Sequence, residues 1–220
     1  MRIAVLGSGN MGGALGKLFG LAGHEVAFSY SRRREKLERL ARASGARARA
    51  AQSIADAVRD ADVVLLAVHW SRVPAVLRAA GNLRGSILID CTNPMNAVDT
   101  ALVAGLKTSG GELVARRARG ARVVKAFNTV PAELLRAGAR ALPEQPSVCC
   151  CGDDVGAKRV VARLIREIGF EPVDCGPLAV ARYLEPFALL VAELAYNRGG
   201  RPEVGVRFIR PQRKRRAKPQ

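Results

Sequence analysis

The chain has 220 residues, 49% of them apolar, and 36 lysines and arginines against 19 acids give a formal charge of +17. Such a composition excludes a disordered chain and leaves room for a nucleotide-binding domain with a small appendage. The longest apolar region, residues 178–196, is broken by Arg182, Glu185, Pro186 and Glu193, which excludes a membrane-spanning helix and any membrane partner built on one.

The first 36 residues carry the strongest pattern. An apolar run, Ile3 to Leu6, enters the turn Gly7-x-Gly9-x-x-Gly12. Met11, Leu15, Leu18, Phe19 and Ala22 then recur at helical spacing, and Gly23 supplies the stop. A second strand is expected over residues 25–30. A glycine fingerprint in this strand–turn–helix–strand context means dinucleotide binding. Gly7 makes the sharp turn, Gly9 admits a pyrophosphate to the backbone, and Gly12 lets helix and sheet approach. The open N–H groups of the first helical turn face the phosphates.

The exit of the second strand selects the cofactor. A carboxylate there would accept from the ribose hydroxyls and favour NAD. This strand instead ends at Tyr30 and runs into Ser31-Arg32-Arg33-Arg34, with Lys36 beyond. A hydroxyl and several cations predict a pocket for a 2′-phosphate, and therefore NADP. The alternative is a solvated first helical turn in an arginine-rich chain.

A helix through Leu37 and Leu40 closes near Gly45, and Ser53 with Asp56 caps the next. Residues 62–68 form an unbroken apolar strand of the kind buried on both faces of a parallel sheet, and His69-Trp70 stands at its end. A helix over 73–80 leads to the strand 87–90 and then to Cys91-Thr92-Asn93-Pro94. Ser109 and Glu112 have capping-box spacing, and the strand 122–126 runs into residues 127–131. The alternation predicts an α/β fold, a doubly wound parallel (Rossmann) sheet over 1–135. Residues 136–210 are expected to form a smaller α+β extension completing the acceptor site. It would hold a strand over 147–151, a helix ending at Gly169, a long helix over 178–197 and a short strand over 204–209. The basic cluster Arg213-Lys214-Arg215-Arg216 lies in a tail, 211–220, expected to be frayed. The rest of the charge is arginine spread over every helix, so nucleic acid is not expected as a partner.

The five cysteines include no C-x-x-C pair, and Cys149, Cys150 and Cys151 are consecutive in a strand, pointing to alternate faces. They read as reduced core residues of a cytoplasmic protein, and no signal-peptide pattern opens the chain. No metal cluster and no nucleophile elbow is legible, and no catalytic side chain is assigned. Hydride exchange between two bound carriers needs positioning above all. His69 either donates a proton or shapes a wall with its backbone, and the wall is the preferred reading. His24 is expected to be structural, and Asp153-Asp154 to cap a helix. Trp70 either stacks on a ring or fills core. Lys125 and Asn128 are not on one helix, so the proton-transfer pair of 3-hydroxyacid dehydrogenases is not reproduced. Asn128, Thr129 and Val130 are either the floor of an acceptor pocket or a structural corner.

An ordered set of motifs runs along nearly the whole chain. GSGNMG is followed by SRR, LAV-x-W at 66–70, IDCTNP at 89–94, SGGE at 109–112, VVKAFNTV at 123–130, CGDD at 151–154, DCGPL at 174–178 and ARYLEP at 181–186. In this set the chain resembles the NADP-dependent oxidoreductases of coenzyme F420. The resemblance implies that Ser8, Gly9, Asn10, Met11, Ser31, Arg32 and Lys36 hold NADP. It places Ala67, Val68, His69, Trp70, Asn93, Pro94 and Met95 beside the nicotinamide, and residues Asn128 to Ala132 over the same ring. His69 departs from the proline usual in the family. The resemblance further implies coenzyme F420 as the hydride acceptor and a homodimer. Flavins or ferric complexes are alternative acceptors, and a non-catalytic NADP-binding regulator is the alternative class. An imine reductase would need a long helical domain after the sheet.

Overall fold

A computed structural model describes residues 1–98, 100–104, 107–199 and 201–209. The basic cluster of the tail lies outside the described residues.

Eight strands form one sheet: β1 (Arg2–Leu6), β2 (Glu25–Ser29), β3 (Ala48–Ala50), β4 (Val63–Leu66), β5 (Ile87–Asp90), β6 (Arg122–Ala126), β7 (Ser147–Gly152) and β8 (Glu171–Asp174). Their order is β3-β2-β1-β4-β5-β6-β7-β8. All neighbours are parallel except β6 and β7, which are antiparallel. The connection between them carries α6 (Ala132–Ala137), and the chain re-enters the sheet from the edge it left. The fold is a mostly parallel Rossmann-like sheet with a helical C-terminal extension.

Alternation across the central strands builds two core layers. Val5, Val63, Leu65, Ile89 and Val124 face one side, and Leu6, Val64, Leu66, Leu88 and Val123 the other. The first layer is closed by α1 (Asn10–Leu21), α2 (Arg34–Ala43), α6 and α7 (Val155–Glu167). The second is closed by α3 (Ile54–Val58), α4 (Val73–Ala80), α5 (Gly110–Arg117) and α8 (Ala181–Ala192). Val148, Cys150, Val161 and Leu164 share a layer with Leu15 and Phe19. The sheet and its core thus run uninterrupted past residue 136.

Several boundaries differ from the sequence expectation. β2 stops at Ser29 and β4 at Leu66. β3 and β8 were not anticipated: Ala-Arg-Ala is short, and Glu-Pro-Val-Asp holds a proline and two acids. Both are edge strands, where such residues are tolerated. The strand expected over 204–209 does not form, and one backbone bond, Ser147 N–H to Val206 O at 2.7 Å, ties that segment to β7. The helix expected over 178–197 is a short 3-10 turn, Leu178–Val180, then α8, then a π-helical turn, Glu193–Asn197.

The small polar signals serve the fold. Asp154 caps α7, accepting from Ala157 N–H at 2.6 Å, and Asp153 accepts from Leu178 N–H at 2.9 Å. His24 bonds Glu167 at 2.9 Å and lies edge-on to Phe19. The cysteines are all free thiols. Cys149 and Cys151 point into one core layer and Cys150 into the other. Burial pushes the Cys150 and Cys151 thiols up to about 12, so they stay protonated.

Candidate active site

The C-terminal edge of the sheet carries two cavities joined by the glycine turn. Gly7 has φ +119°, and a Cβ there would sit 2.2 Å from the Ala67 carbonyl oxygen. A Cβ on Gly12 would sit 2.0 Å from Gly7 O. These two glycines let β1, β4 and α1 converge. Gly9 differs, because a Cβ on it would meet nothing within 4 Å. It faces open space at the N-cap of α1, where free N–H groups favour an anion.

The first cavity, about 710 Å³, is a groove between that turn, the exit of β2 and the exit of β4. Gly7, Ser8, Gly9, Ser31, Arg32, Lys36, Ala67, Val68 and His69 line it, joined by Tyr30, Arg33, Arg39 and Arg72. Five of these side chains are cations and none is an acid. Among the described residues the guanidinium and ammonium groups of Arg32, Arg33, Lys36, Arg39 and Arg72 make no ion pair. His69 lines the groove but its ring is engaged with its own turn: Nδ1 lies 3.2 Å from Ser71 N–H and 2.8 Å from Ser71 Oγ. Trp70 lies outside the groove and packs on the core layer beneath α4.

The second cavity, about 270 Å³, opens at Asn10 and Met11, the residues that follow Gly9. Asn10, Met11, Asn93, Asn128, Thr129, Val130 and Ala132 line it with Pro131, Glu133, Ala188, Val191, Ala192 and Tyr196. Pro94 and Met95 line neither cavity. Pro94 packs beside Gly110, and Met95 bridges to Leu102.

A strained corner aims the floor of this cavity. Phe127 follows β6 with φ 66°, a left-handed conformation that costs a bulky residue about 1–2 kcal/mol. Its full burial and edge-on contact with Phe19 at 6.4 Å hold it there. The reversal points Asn128 at α8 and β5. Asn128 Nδ2 donates to Leu184 O and to Asn93 Oδ1, both at 3.1 Å, and Asn93 Nδ2 donates to Asn128 O at 3.2 Å. Two backbone carbonyls can only accept, so both amides have one possible orientation.

Behind the floor lies a buried ionic network that the sequence reading missed. Lys125 Nζ donates to Asp90 at 2.9 Å, Glu185 at 2.8 Å and Thr92 O at 2.6 Å, and all three charged side chains are at most 1% exposed. Burial alone would lower Lys125, but the two carboxylates outweigh it and raise it above the ordinary lysine value. Glu185 also accepts from Gly110 and Gly111 N–H at 2.9 and 3.0 Å. The network ties β5, β6, α5 and α8 together. Its signal was present as one acid ending the apolar strand β5 and one lysine inside β6, and Asp90 and Lys125 are in register.

The outer wall has its own lock. Tyr196 Oη donates to Glu133 at 2.7 Å, and Arg136 donates to its other oxygen at 2.6 Å. Burial would raise Glu133, yet the bonds from Tyr196 and Arg136 hold its carboxyl below the usual glutamate value. Burial and that bond push Tyr196 up to about 12.

With this geometry the known relatives can be compared. A protein of Arthrobacter sp. FB24, provisionally described as an F420-dependent NADP-reductase, is 29% identical, with a TM-score of 0.85 over 96% of this chain and all of that one. A hypothetical protein from Sinorhizobium meliloti is 32% identical, with a TM-score of 0.73 over 81% of this chain and 86% of that one. Metalloreductase STEAP3 of Rattus norvegicus is 35% identical over 134 residues, 61% of this chain. The chain spans about a quarter of the length of the curated relatives it matches. Residues 2–94 match the family described as NADP oxidoreductase, coenzyme F420-dependent. That stretch, which holds the glycine turn, every cation of the groove and Asn93, belongs to the family of coenzyme F420-dependent NADP oxidoreductases.

Proposed function

We propose that this chain binds NADP(H) in the groove and exchanges a hydride with a flavin-like acceptor, the deazaflavin coenzyme F420, at the second cavity. One observation carries the reading: the glycine turn ends the cationic groove at Gly9 and opens the second cavity at Asn10 and Met11. The groove suits a phosphorylated dinucleotide. Gly7 and Gly12 occupy positions a Cβ would block, Gly9 leaves the pyrophosphate approach open, and cations unpaired among the described residues surround the exit of β2. Arg32 and Ser31 are the residues for the 2′-phosphate, with Lys36 and Arg33 beside them. When bound, NADPH supplies the hydride.

The residues of the second cavity position and exclude water. Met11, Val130, Ala132, Ala188 and Val191 give it apolar walls, and Asn10, Asn93, Asn128 and Thr129 a polar floor. Glu133 stays ionised in its bonds to Tyr196 and Arg136. Direct hydride exchange asks no proton relay of these groups.

The likeness to a metalloreductase favours a second reading, reduction of a ferric complex by the same NADPH. Turnover with NADPH deuterated at the nicotinamide separates the two. Label recovered in reduced F420 supports the first reading. Ferric reduction with no F420 turnover supports the second.

A further inference from the structure

Two residues other than glycine are left-handed among the described residues, Tyr30 with φ 61° and Phe127 with φ 66°. Each directly follows a strand, β2 or β6, at the edge that holds the cavities. Phe127 is compensated inside the fold by full burial. Tyr30 is not. It is 39% exposed, and among the described residues its hydroxyl has no hydrogen bond and its ring no aromatic partner. Its carbonyl accepts from Ser8 Oγ at 3.3 Å, which pins the strained corner to the glycine turn. The residue lines the groove between Ser8 and Ser31. In doubly wound sites the exit of the second strand is where the adenosine ribose lies. A strained backbone that carries a part-exposed ring with no bonded or aromatic partner among the described residues, at that place, points to a ligand.

We propose that Tyr30 is a positioning residue whose ring walls the adenosine half of the dinucleotide and adds affinity for phosphorylated and unphosphorylated nucleotides alike. The proposal rests on the dinucleotide reading above. It assigns Tyr30 a task distinct from that of Arg32. An aromatic face packs on a purine whatever the ribose carries, whereas a guanidinium acts on the extra phosphate.

Calorimetry of the full chain with 2′,5′-ADP and with 5′-ADP tests it. Tyr30→Gly relieves the left-handed strain and removes the ring. The variant is expected to melt above the parent and to bind both nucleotides about tenfold more weakly, with Tyr30→Phe recovering most of the loss. Tyr30→Asn, which tolerates the same backbone region, should repeat the loss and stands in if the glycine variant folds poorly. Parental affinity in Tyr30→Gly or Tyr30→Asn for both nucleotides overturns the proposal. A loss confined to 2′,5′-ADP also overturns it, because Tyr30 would then act through Arg32. If the parent chain takes up neither nucleotide, the dinucleotide reading itself fails.

Discussion

The groove and the second cavity share one sheet edge but hold their charges in opposite ways. Along the groove five cations are unpaired among the described residues and are exposed. Behind the second cavity one lysine and two carboxylates are dry and mutually bonded. Unpaired exposed cations repel one another mildly and are relieved by an anion from outside. Buried charges must be satisfied inside the fold, so they fix geometry and leave nothing for a ligand. The first arrangement is a binding surface and the second is a frame.

The sharpest way to break this contrast is Lys125→Met. It strands two buried carboxylates and should lower unfolding free energy by about 3–5 kcal/mol in urea titrations, while the folded fraction still binds 2′,5′-ADP. A loss under about 1 kcal/mol would mean the network does not hold the frame. Gly9→Val should do the reverse. The open space at its Cβ limits the stability cost to that of a poorer N-cap, about 1 kcal/mol, with NADPH affinity down roughly a hundredfold, about 2.7 kcal/mol. Unchanged affinity would remove the pyrophosphate from that turn. Arg32→Ala should weaken NADPH by roughly one to two decades and NADH hardly at all, as the loss of a charged hydrogen bond of about 1.5–3 kcal/mol requires. An equal loss for both would take the 2′-phosphate away from Arg32.

The smallest effect concerns Glu112, which belongs to the frame side. It closes the capping box with Ser109 and binds Arg182 at 2.7 Å, and the Arg182 bond leads the causes that hold its carboxyl at about 2. A carboxyl lowered in the folded state stabilises fully above its unfolded value, about 4.3, and loses that contribution as pH falls toward 2. Thermal melts of Glu112→Gln should therefore lie below the parent at pH 6 and converge with it near pH 2. A gap that stays constant with pH would assign the effect to packing.

The groove was legible because its residues are consecutive. Gly7 to Gly12 and Ser31 to Lys36 are two short runs whose spacing alone implies a turn, a helix N-terminus and a cationic exit. The loop Asn128 to Ala132 was legible only as a corner of unsettled purpose. Arg39 and Arg72 were hidden because each belongs to a different helix or turn and reads as surface. Glu133, Ala188, Val191 and Tyr196 were hidden for the same reason, since a helix shows a wall residue and a core residue with the same periodicity. Trp70, Pro94 and Met95 stand next to true lining residues in sequence. Yet one step along a turn carried them to the core layer, to Gly110 and to Leu102.

By itself the sequence determined the alternating strands and helices, the turn that needs Gly7 and Gly12, and the sign of charge at the exit of β2. These depend on neighbours within a few residues, where backbone sterics and local charge decide. Only the tertiary structure decided that β7 runs antiparallel, that Lys125 is clasped by Asp90 and Glu185, and that α8 with its π-helical turn walls the second cavity. Those contacts join residues 24 to 63 positions apart, and it is burial, not adjacency, that forces such groups to find one another.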